Sequence, residues 1–343
     1  MRSFLFTLHF CLVAGMGIST LEAQQMKTVF EGKESFNNVT KVDVQGRFCK
    51  VTLLPSENEA FVIQSKIEAM QDQAAYKIIC TNENSTLTVT VQVPEDGYAS
   101  HAGEITISMP PSVETIISNT SGYIELNNLR QANLTAATTA GKITARDSDG
   151  SISLQTKSGN IAANNLNGTI KTSSSSGDQF INNLEGTITL DSPDGAITAD
   201  NIKGTLNIST ISGAQTLTNI EGDMIQRSSS GAVKISNSKV NITTQSMNGS
   251  VNLFDVTGIL NIATTKGLIA GSQVKLTNSS NFTTTEGKIK IKLLNKKEEL
   301  TFVLRSESAP VIAMGSSKMK KLNTGKGPII ITGTSRTGGQ NYY

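Results

Sequence analysis

A glycine returns every eighteen residues through the centre of this chain, at Gly141, Gly159, Gly177, Gly195, Gly213, Gly231, Gly249 and Gly267. A second set runs nine residues out of phase: Gly150, Gly168, Gly186, Gly204, Gly222 and Gly258, with Val240 in the remaining place. So regular a period in a β-forming composition predicts a solenoid in which each unit is one coil. Counting each glycine as position one, positions three and five are usually apolar, as in Ile143 and Ala145, Ile161 and Ala163, Ile152 and Leu154, or Ile188 and Leu190. Positions two, four and six hold mainly Ser, Thr, Asn, Lys and Ala. Alternation of this kind describes a strand with one buried face, so a coil is two strands and two turns. Roughly ten coils fit between Ser121 and Ser308, a rod of about 50 Å at the spacing of stacked strands.

The turns carry their own periodicity. Position seven of one half-coil reads Asp147, Asn165, Asn183, Asn201, Asn219, Asn237 and Asp255; in the other it reads Thr156, Ser174, Ser192, Thr210, Ser228, Ser246 and Thr264. Stacking turns such positions into columns, in which an amide both donates to and accepts from its neighbours above and below. An apolar residue usually follows the amide (Leu166, Leu184, Ile202, Ile220, Val256) and is expected to tuck that corner into the core. A whole column of like residues points to architecture, since a ligand site needs only a few.

The flanks differ. Arg2, the apolar run Phe4–Met16 and the small residue Ala23 predict a secretory leader over residues 1–23, with export to the periplasm or cell surface. No transmembrane segment is expected in the mature chain. Residues 24–118 lack the period and read as an all-β section covering one end of the solenoid, with one or two helical turns over Ile67–Ala75. The repeat region is assigned to 119–308 and a closing cap to 309–343. The period slips between Lys275 and Glu286, and strands lengthen beyond Leu294. Some inward positions are polar: Thr172, Gln179, Gln215, Gln226 and Thr244. A bulge turning Phe180 inward would account for Gln179; the pattern offers no reason for the others.

Little in the sequence speaks of catalysis. Basic and acidic residues number 30 and 28, which gives no steering toward nucleic acid. The lysines after Glu286 read as a solvated face, or as weak attraction to an anionic surface. Cys49 and Cys80 either form one disulfide in an oxidising compartment or stay two separate small hydrophobes. His101, in a Gly- and Ser-rich stretch, is expected to be a surface loop residue, and one histidine in the mature chain cannot build a Ser–His–Asp arrangement. Calcium-binding nonapeptides place Asp where these turns hold Asn or Ser, so a calcium roll is not expected. Outward acids lack an acidic neighbour one coil away: Asp200 falls between Asn182 and Thr218, and Asp191 between Ser173 and Ser209. No catalytic, cofactor-binding or metal residue is therefore predicted. Ile225, Phe254, Ile259 and Leu268 look exposed and are expected to lie under a flanking segment, the alternative being a contact patch.

The runs Phe36-Asn-Asn-Val39, Val42-Asp-Val-Gln45, Val51-Thr-Leu-Leu54, Leu87-Thr-Val-Thr-Val91 and Ile105-Thr-Ile-Ser-Met-Pro110, with units such as Ser158-Gly-Asn-Ile161, resemble a known family over most of residues 36–290. It is the auto-transporter adhesin head domain family of Bacteroidota, which overlaps adhesin-like domains of unknown function. The resemblance implies an exported, single-stranded right-handed β-helix without catalytic residues. No C-terminal series of membrane strands follows of the kind a transporter barrel needs. The function expected is an adhesin-like, non-enzymatic β-helix that binds a protein or glycan at the cell envelope through Ser/Thr/Asn faces. A polysaccharide lyase or hydrolase and a periplasmic scaffold or envelope-stress partner are the alternatives.

Overall fold

The computed structural model describes residues 26–57, 60–70, 75–94 and 100–343; the expected leader lies outside them. The chain is a β-solenoid of about ten turns with coils of about 18 residues. Its apolar side chains form one continuous buried column from Val39 to Tyr342. Each Ile, Leu or Val in that column contributes about 1.5–3 kcal/mol relative to exposure.

The chain opens with β1 (Lys27–Phe36), β2 (Lys41–Arg47), β3 (Lys50–Pro55), β4 (Phe61–Ala69), β5 (Lys77–Glu83), β6 (Thr86–Gln92), β7 (His101–Met109), β8 (Glu114–Asn119) and β9 (Ile124–Asn127). β2 and β3 make one coil, but it is not the outermost. β2 pairs in parallel with β6 and β8, and β3 with β7 and β9, so the β2–β3 coil is sandwiched between two later ones. Outside β7 lies β4 and then β1, both antiparallel, and β5 covers β6 in the same way. Covering strands of this kind shield a parallel ladder that would otherwise present unpaired backbone groups. The helical turns expected over Ile67–Ala75 are absent where that stretch is described: β4 runs through Ala69, with Ile67 and Ala69 buried at strand spacing. Hydrogen-bonding partners on both sides, β1 and β7, override the local preference.

β10 (Ala132–Thr138) stacks between β8 and the next coil. Six long strands of 14 residues follow: β11 (Ile143–Thr156), β12 (Ile161–Ser174), β13 (Gln179–Ser192), β14 (Ile197–Thr210), β15 (Gln215–Ser228) and β16 (Val233–Ser246). Each pairs with its neighbour residue for residue, as in Ile161↔Gln179 and Ile188↔Leu206. Each bends at position seven, where φ of Asp147, Asn165, Asn183, Asn201, Asn219 and Asn237 lies between 50° and 55°, and Asp255 repeats the bend one coil further on at 52°.

The amide column is thus a corner in the left-handed region, which Asn and Asp enter more readily than other side-chain-bearing residues. Its side chains face solvent. Asn165 Nδ2 donates to Asp147 Oδ1 at 2.7 Å, Asn183 Nδ2 to Asn165 Oδ1 at 3.0 Å, and Asn201 to Asn183. Asn219 leaves the file and donates to Asp200 Oδ1 at 2.8 Å. Because φ persists where the ladder stops, backbone geometry is the common cause of the column. The apolar residues that follow, Leu166, Leu184, Ile202, Ile220 and Val256, are buried as expected.

The hydroxyl corner faces inward. The Gly177 N–H donates to Ser174 Oγ at 2.9 Å, and that hydroxyl donates to the Gly159 carbonyl at 3.1 Å. Ser/Thr-x-x-Gly is accordingly a turn closed by its own side chain. Glycine is needed there for close approach: a Cβ on Gly195 would stand 2.1 Å from the Gly177 carbonyl oxygen. The second glycine set meets the same close approach and adds a conformational demand, since Gly186 has φ 125°. Val240 fills the same register without a positive φ.

The bulge expected at Phe180 does not form. Gln179 is fully buried, and Phe180 points outward, half exposed. Gln179 accepts from Thr172 Oγ1 and donates to the Asp191 carbonyl, so the amide is satisfied inside the coil. Gln215 Nε2 donates to Thr210 Oγ1 at 2.7 Å. Both polar atoms of Gln226, Gln215 Oε1 and Thr244 Oγ1 have no hydrogen-bond partner among the described residues.

The last part comprises β17 (Val251–Gly258), β18 (Leu260–Thr264), β19 (Ile269–Leu276), β20 (Ser280–Thr284), β21 (Ile289–Leu293), β22 (Leu300–Ala313), β23 (Ser316–Gly325), β24 (Ile329–Ser335) and β25 (Gln340–Tyr342). The slip in period is a longer turn between β19 and β20, after which Asn261 pairs with Asn281. β24 and β25 insert between the β20–β21 coil and β22, and β23 covers β22 in antiparallel fashion. Tyr342 is fully buried there, its ring 5.9 Å from Phe282 and 5.7 Å from Phe302.

Candidate functional site

The residues with chemical potential are scattered. His101 opens β7 and is not in a loop; its ring lies 4.1 Å from that of Phe48, and Nδ1 is 3.3 Å from the Tyr76 hydroxyl. Cys49 and Cys80 are both free thiols. Burial pushes each up to about 12, with Glu34 adding to the effect at Cys80, so both stay protonated at neutral pH. Gly103 makes room for Cys49, because a Cβ at that glycine would lie 2.3 Å from the Cys49 sulfur. Among the described residues no group of three or more His, Cys, Asp or Glu is placed to hold a metal ion.

The acids on the long strands have the neighbours expected. Asp200 lies between Asn182 and Thr218, and Asp191 between Ser173 and Ser209. One acidic grouping escaped the sequence reading. The β1–β4–β7 sheet sets Glu31, Lys66 and Glu104 side by side, with Lys66 Nζ 2.5 Å from Glu68 Oε1. The Glu68 hydrogen bond and charge, then Glu31 and Glu104, raise Lys66 above the usual lysine range. These carboxylates surround a cation on an exposed sheet, an ion-pair cluster and not an acid–base pair. Antiparallel pairing between distant segments made it, and no local spacing announces such a register.

A second grouping is built on the outer face of β11–β14. Arg146, Asn164, Asn182 and Asp200 occupy one column; Thr144, Ala162, Phe180 and Thr198 occupy the next. All of these but the buried Thr144 line a shallow basin of ≈310 Å³. Small Ala162 leaves the flank of the half-exposed Phe180 ring open, and Asn182 Nδ2 reaches Asn164 Oδ1 at 3.3 Å. A guanidinium, two amides and a carboxylate, one coil apart beside an aromatic ring, can hydrogen-bond a polyhydroxylated or peptide ligand while the ring packs on its apolar face. The sequence hid this because a Phe after an inward Gln reads as a register error. Elsewhere, Leu53, Met109, Pro110, Val113, Leu129 and Leu134 line an apolar cleft of ≈200 Å³ at the N-terminal corner. Among the described residues nothing covers Ile225, Phe254 or Leu268, contrary to expectation, while Ile259 is half-buried.

A family model matches residues 22–205 and again 202–339, nearly the whole chain. The chain belongs to the Toastrack DUF4097 family. The match shows a family of unknown function and does not single out the auto-transporter head domains. No curated protein matches this Toastrack chain. A solved structure from Clostridium sporogenes, described as a candidate cell adhesion protein, aligns with 91% of this chain and 99% of its own. Identity is 11% and the TM-score 0.17, a level at which neither fold nor function transfers. Among the described residues no helix is long and apolar enough to cross a membrane.

Proposed function

We propose that this Toastrack protein is an exported, non-enzymatic, adhesin-like rod that binds a glycan or partner protein at the cell envelope through its polar faces. The observation that carries the reading is the Phe180 basin, an aromatic surface framed by Arg146, Asn164, Asn182 and Asp200 on a rigid sheet. Rigidity matters because groups fixed on stacked strands lose little freedom on binding. The dispersed acids and the protonated thiols favour recognition over chemistry.

The test pairs a panel of immobilised glycans and envelope proteins with Phe180→Ala and Asn182→Ala. The variant lacking the ring is expected to bind its ligand about tenfold more weakly, the ring supplying around 1 kcal/mol beyond its buried area. Unchanged binding in both variants would remove the basin from the account. Release of reducing ends or unsaturated sugars from the same glycans would overturn the non-enzymatic reading. Recovery of the protein in the cytoplasmic fraction would overturn export.

A further inference from the structure

The rod is electrically lopsided. Residues 288–343 hold eleven Lys and Arg against three Asp and Glu, a net charge of +8, while residues 1–287 carry 19 against 25, a net −6. The basic excess culminates in β23, the outermost strand of its end. There Lys318, Lys320 and Lys321, with Lys326 just beyond, have no ion-pair partner among the described residues. Five consecutive residues, Ser317–Lys321, are exposed, so neither side of that strand is covered. Lys320 sits at φ 67°, where β23 is opposite the irregularity between Arg305 and Pro310 of β22. Between these lysines Met319 is 63% exposed, and Ile330, two strands inward, is 44% exposed.

Lysine on an edge strand commonly serves to repel other edges. That role explains charge at β23 but not a large apolar side chain set among the charges in open water. Basic residues interleaved with exposed apolar ones are the signature of a surface that rests on an anionic bilayer: the ammonium groups meet the headgroups and the apolar side chains enter the boundary beneath. We infer that the β23 end of the rod docks on a membrane leaflet rich in anionic phospholipid. The rod then stands on that surface with the Phe180 face free to meet a ligand. A water-soluble polyanion would gain nothing from Met319 and Ile330, and the acidic opposite end of a second copy would be drawn by charge alone.

The experiment is co-sedimentation of the full chain with vesicles of phosphatidylcholine, with and without phosphatidylglycerol. Binding is expected only with phosphatidylglycerol and is expected to fade as salt rises and the Debye length shrinks. Replacing Lys318, Lys320 and Lys321 together by Gln should weaken it roughly a hundredfold, and Met319→Ala severalfold. Lys41→Gln, in a residue paired with Glu114 at the other end, should leave binding unchanged. Matching thermal melts establish that the triple variant is folded. Equal binding to both kinds of vesicle, or binding that the folded triple variant retains, overturns the inference. So does vesicle-free stacking of chains abolished by the same three substitutions, which would assign the basic end to a second copy. Loss of glycan or protein binding in Phe180→Ala with vesicle binding intact separates this inference from the proposal above.

Discussion

The middle of the solenoid and its two ends solve the same packing problem in opposite ways. From β11 to β16 every strand lies against the one just before and just after it in the chain, with Asn or Asp at one corner and Ser or Thr at the other. At the ends, coils are interleaved out of order and sealed by antiparallel strands: β1, β4 and β5 on one side, β23 on the other. Repetition thus builds length, whereas termination needs contacts between distant segments. The middle should tolerate change at its outward positions and fail at its corners. The ends should depend on a few large buried side chains.

The sharpest challenge to that contrast is Tyr342→Ala. Its ring fills the space between Phe282 and Phe302, and a loss of about 3–5 kcal/mol is expected, read as a large fall in the denaturation midpoint. A mild effect would mean that the intercalated coil is not what closes this end. In the middle, Gly195→Ala drives a methyl group against the Gly177 carbonyl and should cost about 1–3 kcal/mol or more, as overpacking does. If Gly195→Ala melts with the wild type, close approach does not explain the glycine column. Gln226→Leu tests the converse: removing two unpaired buried polar atoms should raise stability by about 1–3 kcal/mol in a urea titration. The finest distinction concerns Asn201. Asn201→Leu should lose about 1–2 kcal/mol at its left-handed φ, whereas Asn201→Gly should stay within a few tenths. A large loss in the glycine variant would assign the column to its amide ladder. The outward Thr198→Ala should leave the melting temperature unchanged.

What the sequence revealed follows the same division. Coils, strand faces and both corner columns were legible because consecutive repeats become spatial neighbours, so period translates directly into contact. The period of the amide column points to architecture, but alternation of apolar residues says nothing about the left-handed φ that its members share. Gln179 and Phe180 misled in the opposite sense: an inward amide is costly on average, yet Thr172 and the Asp191 carbonyl satisfy this one. The ends were opaque because intercalation of β2–β3 and β24–β25 joins segments that no periodicity relates. The Phe180 basin was hidden by that misread register, and the Lys66 cluster by pairing of distant strands.

The placement of β24 and β25 sets an order of events. The slot beside β21 can be filled only by a segment synthesised after both β22 and β23, so the outer coil must stay unlocked until that segment arrives. A chain interrupted before residue 329 retains the central repeats but leaves the β21 edge unsealed, open to proteases and to other strands.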